Sequence, residues 1–141
     1  MKAIVRFGDG FLFGLVNMKK IQNWIPAFLV MGIIFWFSSQ SADKLPVFSW
    51  ADTIVKKLAH MIEYGLLTLC YWYALGMDKK QRWQAWLLAI LFALTDEYHQ
   101  SSVSGRHPSI WDVVIFDNLG ALVALLLTNK YIKQKQPDST A

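Results

Sequence analysis

Four apolar runs, joined by short polar stretches, leave this chain few folds. They span about Ile21 to Phe37, Lys57 to Leu75, Trp83 to Leu94 and Ile110 to Thr128. About 20 mostly apolar residues cross a bilayer as a helix, and within lipid the helix satisfies its own backbone. The expectation is an all-α, four-span transmembrane helical bundle. Residues 1–20 are read as an N-terminal cytoplasmic or interfacial segment, 21–129 as the membrane domain and 130–141 as a polar tail. With 141 residues and no break in composition, one domain is expected. Hydrophobic residues make up 55% and charged residues 17%, more apolar than soluble domains usually are.

The runs differ in detail. The first is slightly short, and Ser38, Ser39, Gln40 and Ser41 complete its outer turn. Ser39 to Ser41 lies too far from the N-terminus for a secretory cleavage site, so this run is read as a retained span. Pro26 falls in its first turns, where a missing N–H costs little. Upstream, Gly8, Gly10 and Gly14 disfavour a stable helix and fit a segment lying on the membrane. The third run has only twelve clearly apolar residues and must continue through Asp96, Glu97 and Gln100 to reach the far side. Trp24, Trp36, Trp83 and Trp111 sit near span ends as interface anchors.

The basic residues set an orientation. Ten of the fourteen lie before the first span, between the second and third, or after the fourth. The other four, Lys44, Lys56, Lys57 and Arg106, lie on the opposite side. The positive-inside rule then places both termini in the cytoplasm. The charges cluster at the ends of runs and form no basic face, which argues for lipid contact and against nucleic acid as a partner. Cys70, the single cysteine, is a small core residue with no disulfide or Cys-x-x-Cys partner.

Between the third and fourth runs, Thr95 to Pro108 holds two adjacent carboxylates, two histidines, a glutamine and an arginine. Further polar residues recur inside the apolar runs: Lys57, His60, Glu63, Asp112 and Asp117. Ionisable groups at membrane depth are costly and mark functional sites. Lys57, His60 and Tyr64 follow i, i+3, i+7 spacing and share one helical face; Asp96, His99 and Gln100 do so at i, i+3, i+4. Under the expected orientation all lie in the outer half of the membrane or the outer loops.

Two accounts of this cluster compete. In one, Lys57 and Arg106 offset Asp96, Glu97 and Asp112, and the network locks the helices together. In the other, Arg106 and Lys57 grip an anionic head group such as the phosphates of a lipid-linked intermediate. Gly105, free to adopt φ > 0, would swing Arg106 back over the third span to pair with Glu97 or Asp96 at rest. His60, Glu97 and Asp96 are then the candidate catalytic groups for acid–base chemistry. Lys57, Tyr64, Gln100, Arg106, Asp112 and Asp117 are the candidate substrate-binding residues. His60, His99, Asp96 and Glu97 are usable metal ligands, but no spacing as specific as His-Glu-x-x-His is present. No cofactor is expected. His107 is read as an exposed loop residue.

Lys57-x-x-His60-x-x-x-Tyr64, Asp96-Glu97-x-x-Gln100, Gly105-Arg106, and Asp112 with Asp117-x-x-Gly120 together resemble the VanZ-like family of small membrane proteins. The resemblance covers roughly residues 30–128. It implies an acidic residue four positions before the second Asp or Asn; here Asp112 and Asp117 are five apart, about 140° on an ideal α-helix. The family takes its name from a protein of glycopeptide-resistance clusters that lowers sensitivity to teicoplanin. The resemblance therefore implies a cell-envelope role without fixing a reaction. Three functions follow: binding an anionic lipid-linked envelope intermediate, hydrolysing or transferring part of it, or moving protons and substrate as a transporter or flippase component. Four spans make a small transporter, so the third would call for a homo-oligomer.

Overall fold

The computed structural model describes residues 20–41 and 51–135, with side chains throughout except at 52, 53 and 130–135. The glycine-rich start, the loop after the first run and the tail after residue 135 lie outside the described residues. Among those described there are four helices and no strand. Helix α1, Ile25–Ser38, follows a turn and carries its proline in the first turn, as the sequence predicts. Helix α2 is Asp52–Ala74. A short 3-10 turn, Lys79–Gln81, leads into α3, Arg82–Gln100. A π-helical turn, Asp112–Asp117, runs without a break into α4, Asn118–Lys135.

The ends of these helices have local causes. α2 stops where Gly76 takes φ +86°. Gly76 N–H then donates to Tyr73 O, and Met77 N–H to Trp72 O, both at 2.9 Å. That pairing satisfies the last carbonyls of the helix. Asp78 accepts from Lys80 N–H to open the 3-10 turn, and its carbonyl receives the Trp72 indole N–H at 2.9 Å. α3 does continue as helix through Asp96, Glu97 and Gln100.

The helices run alternately up and down. The start of α1 meets the end of α2, where Trp24 packs edge-on to Tyr71. Arg82, opening α3, lies 4.4 Å above the Trp72 ring and reaches Thr128 on α4. One face of α3 buries Ala85, Ala89 and Ala93, then Asp96 and Gln100. A single seam therefore changes from small and apolar to polar as it nears one end of the bundle. α2 and α4 cross at Gly65 and Gly120. A Cβ on Gly120 would collide with the Met61 carbonyl and come within 2.8 Å of Met61 Cα, so only glycine permits this approach.

The outer surface is apolar. Phe28, Ile62, Leu126 and Leu127 are each more than 60% exposed. Two helical stretches, Lys20–Ser38 and Asp112–Asn129, are long and apolar enough to cross a membrane by length and composition. Only 17% and 28% of these windows is buried against the rest of the protein. α2 and α3, interrupted by Lys56, Lys57, Glu63, Asp96 and Glu97, are not in that set.

Candidate functional site

The polar residues gather at one end of the bundle, where α1 and α3 finish and α2 and the π-turn begin. A cavity of about 290 Å³ opens there. Six of the nine residues expected at a site line it: Lys57, His60, Glu97, Gln100, Arg106 and Asp112. The other three, Tyr64, Asp96 and Asp117, stand behind the wall and are 1–2% exposed. His107 is exposed, as expected of a loop residue, yet it too lines the cavity.

α2 supplies one wall. Lys57 Nζ lies 2.7 Å from Asp112 Oδ1 and 4.2 Å above the Phe116 ring. One turn on, His60 Nδ1 lies 3.4 Å from Asp117 Oδ1. That is ion-pair distance without hydrogen-bond alignment, and neither atom has a hydrogen-bond partner among the described residues. The π-turn explains how two aspartates five apart meet two α2 residues three apart. An i→i+5 turn stacks residues five apart one above the other, where an α-helix would splay them. The additional residue between Asp112 and Asp117 is absorbed as a local widening, and both carboxylates face α2.

α3 supplies the opposite wall and the layer behind it. Asp96 Oδ2 accepts from Ser38 Oγ at 2.7 Å, Gln100 Nε2 at 2.9 Å and Tyr64 OH at 3.3 Å. Gln100 Nε2 also reaches Ser38 Oγ at 3.3 Å. Asp96 thus ties α1, α2 and α3 together through neutral donors, and its Oδ1 is buried without a hydrogen-bond partner among the described residues. Glu97 accepts the backbone N–H of Ser109, the residue before the fourth helical segment.

One expectation needs correcting. Arg106 pairs with neither Asp96 nor Glu97. Its Nε donates to Gln40 O at 3.1 Å and its Nη2 to Phe37 O at 2.6 Å, so it braces the carbonyl end of α1. The physical reason is the geometry of a helix end: the last carbonyls have no intrahelical donor and attract a cation. Gly105 does take φ +73°, which directs the chain back toward the bundle. The charge network is therefore limited, since among the described residues Lys57–Asp112 is the one Lys or Arg pair that offsets a site carboxylate. The four usable metal ligands do not gather at one point. His99 stacks on Phe35 at 4.3 Å and lies 3.0 Å from Ser39 Oγ, on the α1 side. Among the described residues no group of three His, Cys, Asp or Glu is placed to hold a metal ion.

Spacing alone missed the contribution of α1. Ser38, Ser39 and the carbonyls of Phe37 and Gln40 hold Asp96, His99 and Arg106. The available signal was the polar cluster at 38–41 abutting an apolar run, which looked like an ordinary span end.

An all-helical bundle with an apolar surface and a charged cavity at one end defines a small protein suited to membrane association. The chain belongs to the VanZ/LLP1 family, whose model matches residues 23–132. No curated protein and no solved structure matches it.

Proposed function

We propose that this chain spans the cell membrane four times with both termini cytoplasmic, and that its cavity binds the anionic head group of a lipid-linked envelope intermediate at the outer leaflet. Helix length supports the four spans. At 1.5 Å per residue, α2 and α3 reach roughly 35 and 29 Å, about the thickness of the hydrocarbon layer. Trp36 and Trp111 are exposed at the cavity end and Trp83 at the other, as two interfacial belts would require. The asymmetry of basic residues supports the orientation.

The observation that carries the binding function is the state of Arg106. Its guanidinium lines the cavity and is oriented by two neutral carbonyls. Among the described residues no carboxylate lies within ion-pair distance of it. A guanidinium has five N–H donors; two are used here, and the full positive charge remains to meet a phosphate. The bidentate geometry suits a phosphate better than an ammonium does. Lys57, already paired with Asp112, would close on the same anion by exchanging partners.

Native mass spectrometry of the gently purified protein tests this. A retained phosphate-bearing lipid is expected, and it should be lost from Arg106→Gln. At matched membrane abundance, that variant should also lose the effect on teicoplanin sensitivity that family membership leads one to expect. A protein that retains no phosphate lipid, or an Arg106→Gln variant that retains it fully, overturns the proposal.

The His60–Asp117 pair favours a second function. A buried carboxylate 3.4 Å from a cavity-lining imidazole would orient it as a general base once the contact tightens to a hydrogen bond on substrate binding. In this case the chain is a small hydrolase or transferase acting on the same lipid. A chemically altered lipid after incubation with the protein, absent with His60→Asn, would select it.

A further inference from the structure

A second, apolar concavity of about 260 Å³ lies on the outer surface of the α2–α4 seam. Its floor is Gly65 and Gly120, and its walls are Leu58, Ile62, Val123 and Leu127. The glycines are buried, while each wall residue is more than a third exposed. It is therefore a groove cut into a lipid-facing surface, deepened because its floor carries no side chain. Two helical ridges connect it to the charged cavity. On α2, Lys57, Met61 and Gly65 follow i, i+4, i+8; across the seam, Phe116 and Gly120 are one turn apart. Lys57 and Phe116 line the cavity, and the next residue of each ridge lines the groove.

We infer that this groove holds the hydrocarbon chain of a single-chain lipid phosphate, such as a polyprenyl phosphate, whose head group lies in the cavity. The inference rests on the proposed head-group site and adds the substrate class. Charge at one end of a seam, followed by an apolar furrow along the same two ridges, matches the order of parts in such a lipid. The furrow extends about 10 Å along α2, from Leu58 to Gly65, roughly a third of the hydrocarbon layer. One furrow receives one chain. A two-chain phospholipid would leave its second chain without a place on the protein.

The test measures binding of farnesyl phosphate, didecanoyl phosphatidic acid and inorganic phosphate to the full-length protein in nanodiscs. Val123→Trp fills the groove from an exposed wall position. Ile33→Trp, an equally apolar exchange on the exposed face of α1, is the control. Farnesyl phosphate should bind wild type at least tenfold more tightly than phosphatidic acid. Val123→Trp should weaken it about tenfold and leave inorganic phosphate unchanged, while Ile33→Trp changes neither. Unaltered farnesyl phosphate binding in Val123→Trp overturns the groove assignment. Equal affinity for phosphatidic acid overturns the single-chain class. The head-group proposal fails separately, if Arg106→Gln leaves the binding of both farnesyl phosphate and inorganic phosphate intact.

Discussion

At the scale of single residues, Asp96 is the point where three helices meet. Its Oδ2 gathers donors at graded distances, with Ser38 nearest and Tyr64 farthest. A hydrogen bond contributes about 0.5–1.5 kcal/mol net, and a buried acceptor left unsatisfied costs about 1–3 kcal/mol. Ser38→Ala should therefore destabilise the protein by about 2 kcal/mol, and Tyr64→Phe by about 1 kcal/mol or less. Thermal unfolding of the purified variants gives the order. An equal or reversed order would mean that Asp96 is not held chiefly by α1. The importance of Asp96 was legible from its cost at membrane depth. The identity of its partner was not, because Ser38 is 58 residues away and no local spacing links the two.

At the scale of elements, the π-turn and the glycine crossing decide how α4 meets α2. Deleting Ile115, an exposed residue within the turn, leaves Asp112 and Asp117 four apart. On an ordinary α-helix that spacing also keeps them on one face. The deletion should fold with a stability change of roughly 1 kcal/mol or less, in the range of surface changes. Inserting an alanine after Ile115 should cost far more, because it separates the two ion pairs. Denaturation midpoints of the two variants check this; similar midpoints would mean the turn does not set the register. The glycines make a sharper series. Gly120→Ala drives a Cβ into the Met61 backbone and should cost 3 kcal/mol or more, about the upper range for overpacking. Gly65→Ala meets the Gly120 carbonyl at 3.0 Å and should cost less. Gly32→Ala meets nothing within 4 Å in a helix interior and should stabilise by up to about 1 kcal/mol. Melting temperatures that fail to follow this order would contradict the close crossing.

At the scale of the whole molecule, the charged cavity lies at one end and Lys79, Lys80 and Arg82 at the other. If the four-span orientation holds, the two ends face opposite sides of the membrane. In a Cys70→Ala background, cysteine at exposed Ser104 should react with an impermeant maleimide in intact cells. Cysteine at exposed Lys79 should react only after permeabilisation. The opposite pattern reverses the orientation, and labelling of both from outside breaks the four-span arrangement.

The sequence by itself determined the helical class, the approximate helix limits and the list of polar residues that crowd one end. These depend on local matters: apolar run length, glycine and proline positions, and the expense of charge among apolar residues. It also marked Gly105 as a reversal of the chain, because a turn requirement is written in one residue. Only the tertiary structure decided which groups meet. Arg106 looked like a partner for the acidic end of α3, but the unsatisfied carbonyls of α1 lie closer and hold it. Asp112 looked misplaced, about 140° from Asp117 on an α-helix, until a π-turn brought it to Lys57. Both outcomes depend on how helix ends and helix widths fit against neighbours far away in the chain, and no periodicity within a single segment encodes that fit.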